Sequence, residues 1–224
     1  MAGPGGFNGT QAPSHEADSA GSPKAYIIEE IYDHTRLAGI DCPLEASVAF
    51  LHPIARGEPL TPELLALKPD PYYIEPPDKG DLPDMFDGKR VWTVSEKVKT
   101  IIEDLEPNVH TFMPVEPVSR RSKRTFGTYY LLYVGQTIDA VIIEDSKFRD
   151  GFGRAGFNEA PILSSAVLDG RLIAGKHLWR GGIGKLGGGG DPFSGYVFCS
   201  DELADRLKAA SAEGWLFEEC DVKN

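Results

Sequence analysis

The chain has 224 residues and a net charge of −11, from 23 Lys and Arg against 34 Asp and Glu. Hydrophobic residues make up 41% and charged residues 25%, a globular composition that excludes wholesale disorder, collagen and coiled coil. The acidic balance excludes a general nucleic-acid binder, whose affinity comes from neutralising phosphate, and leaves open an acidic protein that binds a basic partner.

Residues 1–23 are mostly Gly, Pro, Ala and Ser, too apolar-poor to offset ordering entropy, so a disordered tail is expected. This segment has neither the basic start nor the hydrophobic centre of a secretory signal, and no apolar run reaches the roughly 18–20 residues a bilayer span needs. Cys42, Cys199 and Cys220 are odd in number and widely spaced, which reads as buried thiols rather than disulfides or a zinc site. A soluble cytoplasmic protein without metal or cofactor is the expectation.

Order is expected from a strand over 24–32 (KAYIIEEIY). From there to residue 90 prolines recur, which breaks helices and central strands and predicts short turns and edge pieces. One short helix is predicted over 61–67, with Thr61 as N-cap and Pro62 at the first helical position. The first 90 residues carry −8 of the −11, with 15 acids against 7 bases. A basic partner would be drawn there.

From Val91 one pattern occurs twice: strand, serine cap, amphipathic helix, strand. The first copy is VWTVSEKV followed by Ile101, Ile102, Leu105 and residues 110–115. The second is YVFCSDEL followed by Leu207 and residues 215–218. Ser95 and Ser200 can each accept a hydrogen bond from free first-turn amides, and Glu96, Asp201 and Glu202 complement the positive helix end. Duplication and the mere commonness of β-α-β both explain such a pair. Between the copies, strands are predicted over 128–134, 139–144, 162–168 and 171–180, the last with a break. The fold class is therefore α+β: a mixed or antiparallel sheet with two principal helices, after an irregular Pro-rich region. Residues 24–224 are expected to form one domain.

No catalytic constellation emerges. Residues 170–177 (GRLIAGKH) match a phosphate loop except that His177 stands where Ser or Thr would hold Mg²⁺, and a hairpin turn at Asp169 and Gly170 is the better reading. The glycine-rich stretch 181–195 meets Asp191 and Pro192 rather than a helix, so it lacks the dinucleotide fingerprint. The basic run 120–124 (RRSKR) reads as a solvated loop between strands. The five histidines, His15, His34, His52, His110 and His177, have no His or Cys at metal spacing. No GxSxG, HExxH or SxxK occurs. Ser164, Ser165 and Cys199 carry no sequence sign of an activating base.

The order of short words from 91 to 222 carries a resemblance. These are Val94-Ser95-Glu96-Lys97, Phe112-Met113-Pro114-Val115, Tyr129 to Val134, Ile138-Asp139-Ala140, Ile162-Leu163, His177-Leu178-Trp179-Arg180, the strand and cap ending Ser200-Asp201-Glu202-Leu203, and Leu216-Phe217-Glu218. Together they resemble a bacterial polymorphic-toxin immunity family, the eleventh immunity class, once catalogued as a domain of unknown function. The resemblance implies a dedicated inhibitor that binds and silences the toxin encoded beside it, with no catalytic residues. The expected partner is a basic toxin domain, not nucleic acid or membrane. The expected contacts are Glu29, Glu30, Asp81, Asp84 and Asp87, with Trp179 and Phe193 as aromatic anchors. The competing expectation is an enzyme acting on a phosphorylated small ligand near Gly170 and His177 or at the 181–195 loop.

Overall fold

The computed structural model describes residues 24–30, 39–40, 47–75, 81–87, 91–149, 162–181 and 196–224. Strands β1 (Ala25–Glu30) and β2 (Gly39–Ile40) precede a π-helical turn, Ser47–Leu51, which runs into α1 (His52–Ala55). Then come α2 (Pro62–Leu65), β3 (Tyr72–Glu75) and β4 (Met85–Asp87). The regular part follows with β5 (Trp92–Ser95), α3 (Glu96–Leu105), β6 (Thr111–Val115), β7 (Pro117–Ser119), β8 (Tyr129–Tyr133) and β9 (Thr137–Ile138). The last stretch holds β10 (Lys147–Arg149), β11 (Ile162–Ser165), β12 (Val167–Asp169), α4 (Gly170–Ile173), β13 (Leu178–Gly181), β14 (Val197–Ser200), α5 (Asp201–Ala209) and β15 (Trp215–Lys223). This is the α+β class with mixed and antiparallel sheets, and α3 and α5 are its two long helices.

Four strands form an antiparallel sheet in the order β4-β5-β8-β6. Six form a mixed sheet in the order β12-β15-β1-β14-β13-β9. Smaller sheets join β2-β3-β7 and β10-β11. The two large sheets share one plan. In each, a hairpin (β4–β5, or β13–β14) leads into a helix, and the strand after that helix is separated from the hairpin by one inserted antiparallel strand. That strand is β8 in the first unit and β1 in the second. Registers agree as well: Met85 faces Val94 as Leu178 faces Cys199, and Val115 faces Tyr129 as Cys220 faces Ala25. From β5 to β6 and from β14 to β15 the correspondence holds at a constant offset of 105 residues, without a gap.

The hydrophobic pattern repeats with it. One core combines Val98 and Ile102 of α3 with Leu203 and Leu207 of α5, and Met85, Val94 and Leu132 with Leu178, Cys199 and Ile28. These are five matched pairs, and the two helices pack against each other. Full burial of each such side chain contributes about 1.5–3 kcal/mol. The outer face of the four-stranded sheet is covered by Phe50, Leu51 and Ile54 of the Pro-rich part. The outer face of the six-stranded sheet is covered by Ala140, Leu163, Leu168 and Ile173.

Several expectations change. The segment 139–144 makes only an isolated bridge, Val141 to Leu168, because the chain turns there: Ser146 N–H reaches back to the Ile142 carbonyl. The run 171–180 is not a strand with a break but a helical turn followed by β13. Asp169 is no hairpin corner; its carboxylate accepts from Arg171 N–H and caps α4. The short helix after Thr61 is present, and Thr61 Oγ1 accepts from Leu64 N–H at 3.2 Å. The expected tail, Cys42 and nearly all of the glycine-rich stretch lie outside the described residues.

Candidate partner-binding surface

Among the described residues, the arrangement that looks like an activated nucleophile is Ser200 Oγ at 2.9 Å from His177 Nδ1. Comparison of the two units explains it. Ser200 Oγ accepts from Leu203 N–H at 3.2 Å, as Ser95 Oγ accepts from Val98 N–H at 3.4 Å. Ser200 N–H donates to the His177 carbonyl, as Ser95 N–H donates to the Asp84 carbonyl. Ser95 Oγ in turn donates to Asp84 Oδ1 at 2.7 Å. His177 therefore stands where Asp84 stands, as the residue before the outer hairpin strand that steadies a capping serine. A carboxylate that only accepts fills the same position, so the imidazole there is a positioning group for a cap.

A buried carboxylate joins the two units. Glu106, 6% exposed, closes α3 and accepts from His110 Nε2 at 2.9 Å, Leu178 N–H at 2.8 Å and Gln136 Nε2 at 2.7 Å. Gly135 N–H donates to His110 Nδ1, which leaves the imidazole hydrogen on Nε2, aimed at Glu106. Burial opposes ionisation of Glu106. The donors from His110, the β13 backbone and Gln136 outweigh it and hold the carboxyl at about 2. The opposite exchange also occurs: Met85 N–H donates to Glu213 O, and Glu213 N–H donates to Asp84 Oδ2. Each helix end thus reaches the outer hairpin strand of the other unit. Arg180, 8% exposed, adds a second tie by donating to the Ala55 and Ile54 carbonyls at the end of α1. Glu106 thus serves the joint between the units, and Arg180 the joint to the Pro-rich part.

The sequence-predicted contacts scatter. Glu29 is exposed on β1. Asp81 is exposed and holds Arg124 at 2.5 Å. Asp84 is engaged inside the fold, between Ser95, Lys97 at 2.8 Å and Glu213 N–H. Burial would raise its carboxyl, but those donors keep it below the usual range. Glu30 and Asp87 lie in β1 and β4, and their side chains, like Phe193, fall outside the described residues. Trp179 corrects the expectation of an anchor. It is 1% exposed, stacks on Phe198 at 5.9 Å and fills the core at the position Phe86 occupies in the first unit. The basic run is no phosphate grip either: Arg120 lies over the Tyr73 ring and Arg124 over Phe126. Cys199 and Cys220 are buried free thiols that burial pushes up, Cys220 to about 12.

A family model described as the immunity protein family Imm11 matches residues 53–222. The chain belongs to the Imm11 immunity protein family. The match begins well inside the Pro-rich part, earlier than the resemblance from 91 implied. No curated protein matches the sequence.

For an Imm11 chain the relevant surface is one that offers something unspent to a protein partner. Among the described residues Glu29, Asp70, Asp104, Glu116, Glu144, Glu213, Glu218 and Asp221 are exposed with no side-chain partner. Four of them, Glu29, Glu213, Glu218 and Asp221, lie on β1 or on the C-terminal segment beside it, so this group is not confined to the first 90 residues where the sequence concentrates its charge. Leu216, 49% exposed, sits opposite Glu29 on the same sheet face. Composition by region could not find this cluster, because antiparallel pairing of β1 with β15 brings residues far apart in the chain to one face.

Proposed function

We propose that this protein is an immunity factor that binds a cognate toxin domain and silences it by occlusion, acting in the cytoplasm without catalysis of its own. Membership of the Imm11 family carries this reading. The cap role of the Ser200–His177 pair supports it, since that geometry recurs with Asp84 in place of an imidazole. Residues 24–224 act as one domain, with β1 closing the C-terminal sheet. The partner is a basic protein, drawn by a chain of net charge −11. Titration of the purified protein into the toxin encoded by the neighbouring gene tests this. Toxin activity is expected to fall linearly to zero at equimolar ratio. Neutralisation at a small fraction of an equivalent would overturn occlusion in favour of enzymatic inactivation, and no neutralisation would overturn the immunity role.

A further inference from the structure

The two units treat their outer strands differently, and the difference marks an interaction edge. The direction of each backbone group follows from the hydrogen bonds around β1. Asp201 N–H donates to the Lys24 carbonyl, so the even residues of β1 turn toward β14 and the odd ones toward β15. Ala25, Ile27 and Glu29 therefore exchange bonds with Cys220, Glu218 and Leu216. Phe217 and Glu219 point the other way. Asp221 N–H, two residues on, does the same and meets the Ala166 carbonyl. β12 covers β15 only from Asp221 to Lys223. Among the described residues nothing bonds to the outward amides and carbonyls of Phe217 and Glu219.

In the first unit the corresponding edge of β6 is blocked at one position, although among the described residues nothing bonds to the outward groups of Phe112, the counterpart of Phe217. Pro114 occupies the place of Glu219 and has no N–H, and its carbonyl takes Lys68 Nζ at 2.6 Å. The second unit has neither device. Among the described residues it presents instead a free edge flanked by Glu218 and Glu29, with Leu216 exposed between them, while the Glu219 carboxylate is held by Lys24 at 2.9 Å.

We propose that the open edge of β15 at Phe217 and Glu219 is where the partner docks, by adding an extended cationic segment of the toxin as a further strand. This rests on the toxin-binding reading above. Main-chain bonds supply affinity in such additions and alternate side chains supply selectivity. The acidic rim selects the occupant. A second copy of this chain would set Glu218 against its own like, and like charges across a strand pair repel. A Lys- or Arg-bearing strand meets the same carboxylates as partners, and Leu216 offers an apolar contact beside them.

The test uses the full chain and the toxin domain encoded by the neighbouring gene. Glu219→Pro copies Pro114: it removes an N–H that does not bond to β1, together with the exposed ion pair that Glu219 makes with Lys24 at 2.9 Å, a pair of the kind that contributes little to stability. It is expected to melt like the wild type and to bind at least tenfold more weakly. Glu218→Lys leaves the backbone intact and is expected to slow association at low salt. Backbone amide exchange by NMR supplies a readout independent of both variants. The amides of Phe217 and Glu219 are expected to exchange fast in the free protein and to be protected in the complex. Wild-type affinity in a normally melting Glu219→Pro, slow exchange at those two amides in the free protein, or fast exchange that the complex leaves unchanged would each overturn the edge. Failure of the wild-type protein to bind the toxin at all would instead overturn the reading on which it rests.

Discussion

Replacing Glu106 with glutamine is the sharpest test of how the two units are joined. The carboxylate is 6% exposed and accepts from three donors: an imidazole N–H, a peptide N–H and an amide. Glutamine keeps the size but must turn its own NH₂ toward one of them, so two donors face each other in a buried site. Linkage gives the magnitude. The carboxyl is held at about 2 against an ordinary 4.5. A depressed acid stabilises the fold above its unfolded value, here by about 3 kcal/mol at pH 7. That contribution is lost as pH falls toward the folded value, and about 1 kcal/mol of it is left at pH 3. The sign is that of a group which binds protons more readily in the unfolded chain, so acid removes stability. Urea unfolding of wild type and Glu106→Gln across a pH series reads the difference directly. The variant is expected to lose about 2–4 kcal/mol at neutral pH. The gap should narrow by about 2 kcal/mol by pH 3. A gap under about 1 kcal/mol at pH 7, or one that does not change with pH, would refute the account of an ionised buried acceptor.

Ser95→Ala and Ser200→Ala are each expected to cost about 1 kcal/mol by urea unfolding and to leave toxin inhibition stoichiometric. Loss of inhibition by a stable Ser200→Ala would restore the nucleophile reading. Gly214 has φ +105 and an added Cβ would lie 2.1 Å from the Met85 carbonyl, so Gly214→Ala is expected to lower the melting temperature far more than Gly175→Ala, where nothing lies within 4 Å. Differential scanning fluorimetry compares the two. Association with the toxin is expected to slow as salt rises, since exposed charges are screened beyond about 8 Å at physiological ionic strength. A stopped-flow rate independent of salt would leave the acidic balance to solubility alone.

Local chemistry was the legible part of this fold. Serine followed by acidic residues and an apolar stripe marked both long helices, and Thr61-Pro62 marked a short one, because caps and amphipathic spacing act within a few residues. What the sequence could not reveal depends on distant pairing. Of residues 92–115 set against 197–220, only Ser95/Ser200 and Phe112/Phe217 are identical. The common plan is carried instead by register and by buried volume. Trp179 was misread as a surface ring for the same reason. The equivalence with Phe86 and the cover from Ile138, Ala140, Leu163, Leu168 and Ile173 show that this position lies inside. Asp84 looked like free surface charge because the donors that engage it arrive from Lys97 and from Glu213, 129 residues away.

The doubled plan also separates architecture from function. A feature that both units share is explained by what both must do, which is to cap a helix, bury its stripe and hold the partner unit at its end. The cap serines, the residues before the hairpin strands and the crossed helix-end bonds all fall in that class. A difference between matched positions needs another cause. Pro114 with Lys68 blocks one edge at the very position where Glu219 leaves its counterpart open. The inward-facing residue next to it departs too, with Met113 buried under the Pro-rich cover and Glu218 exposed. Stability alone favours closing both edges, because an unpaired strand invites aggregation. Retaining an open edge and surrounding it with acid is consistent with a surface kept for one kind of partner, an extended segment of opposite charge.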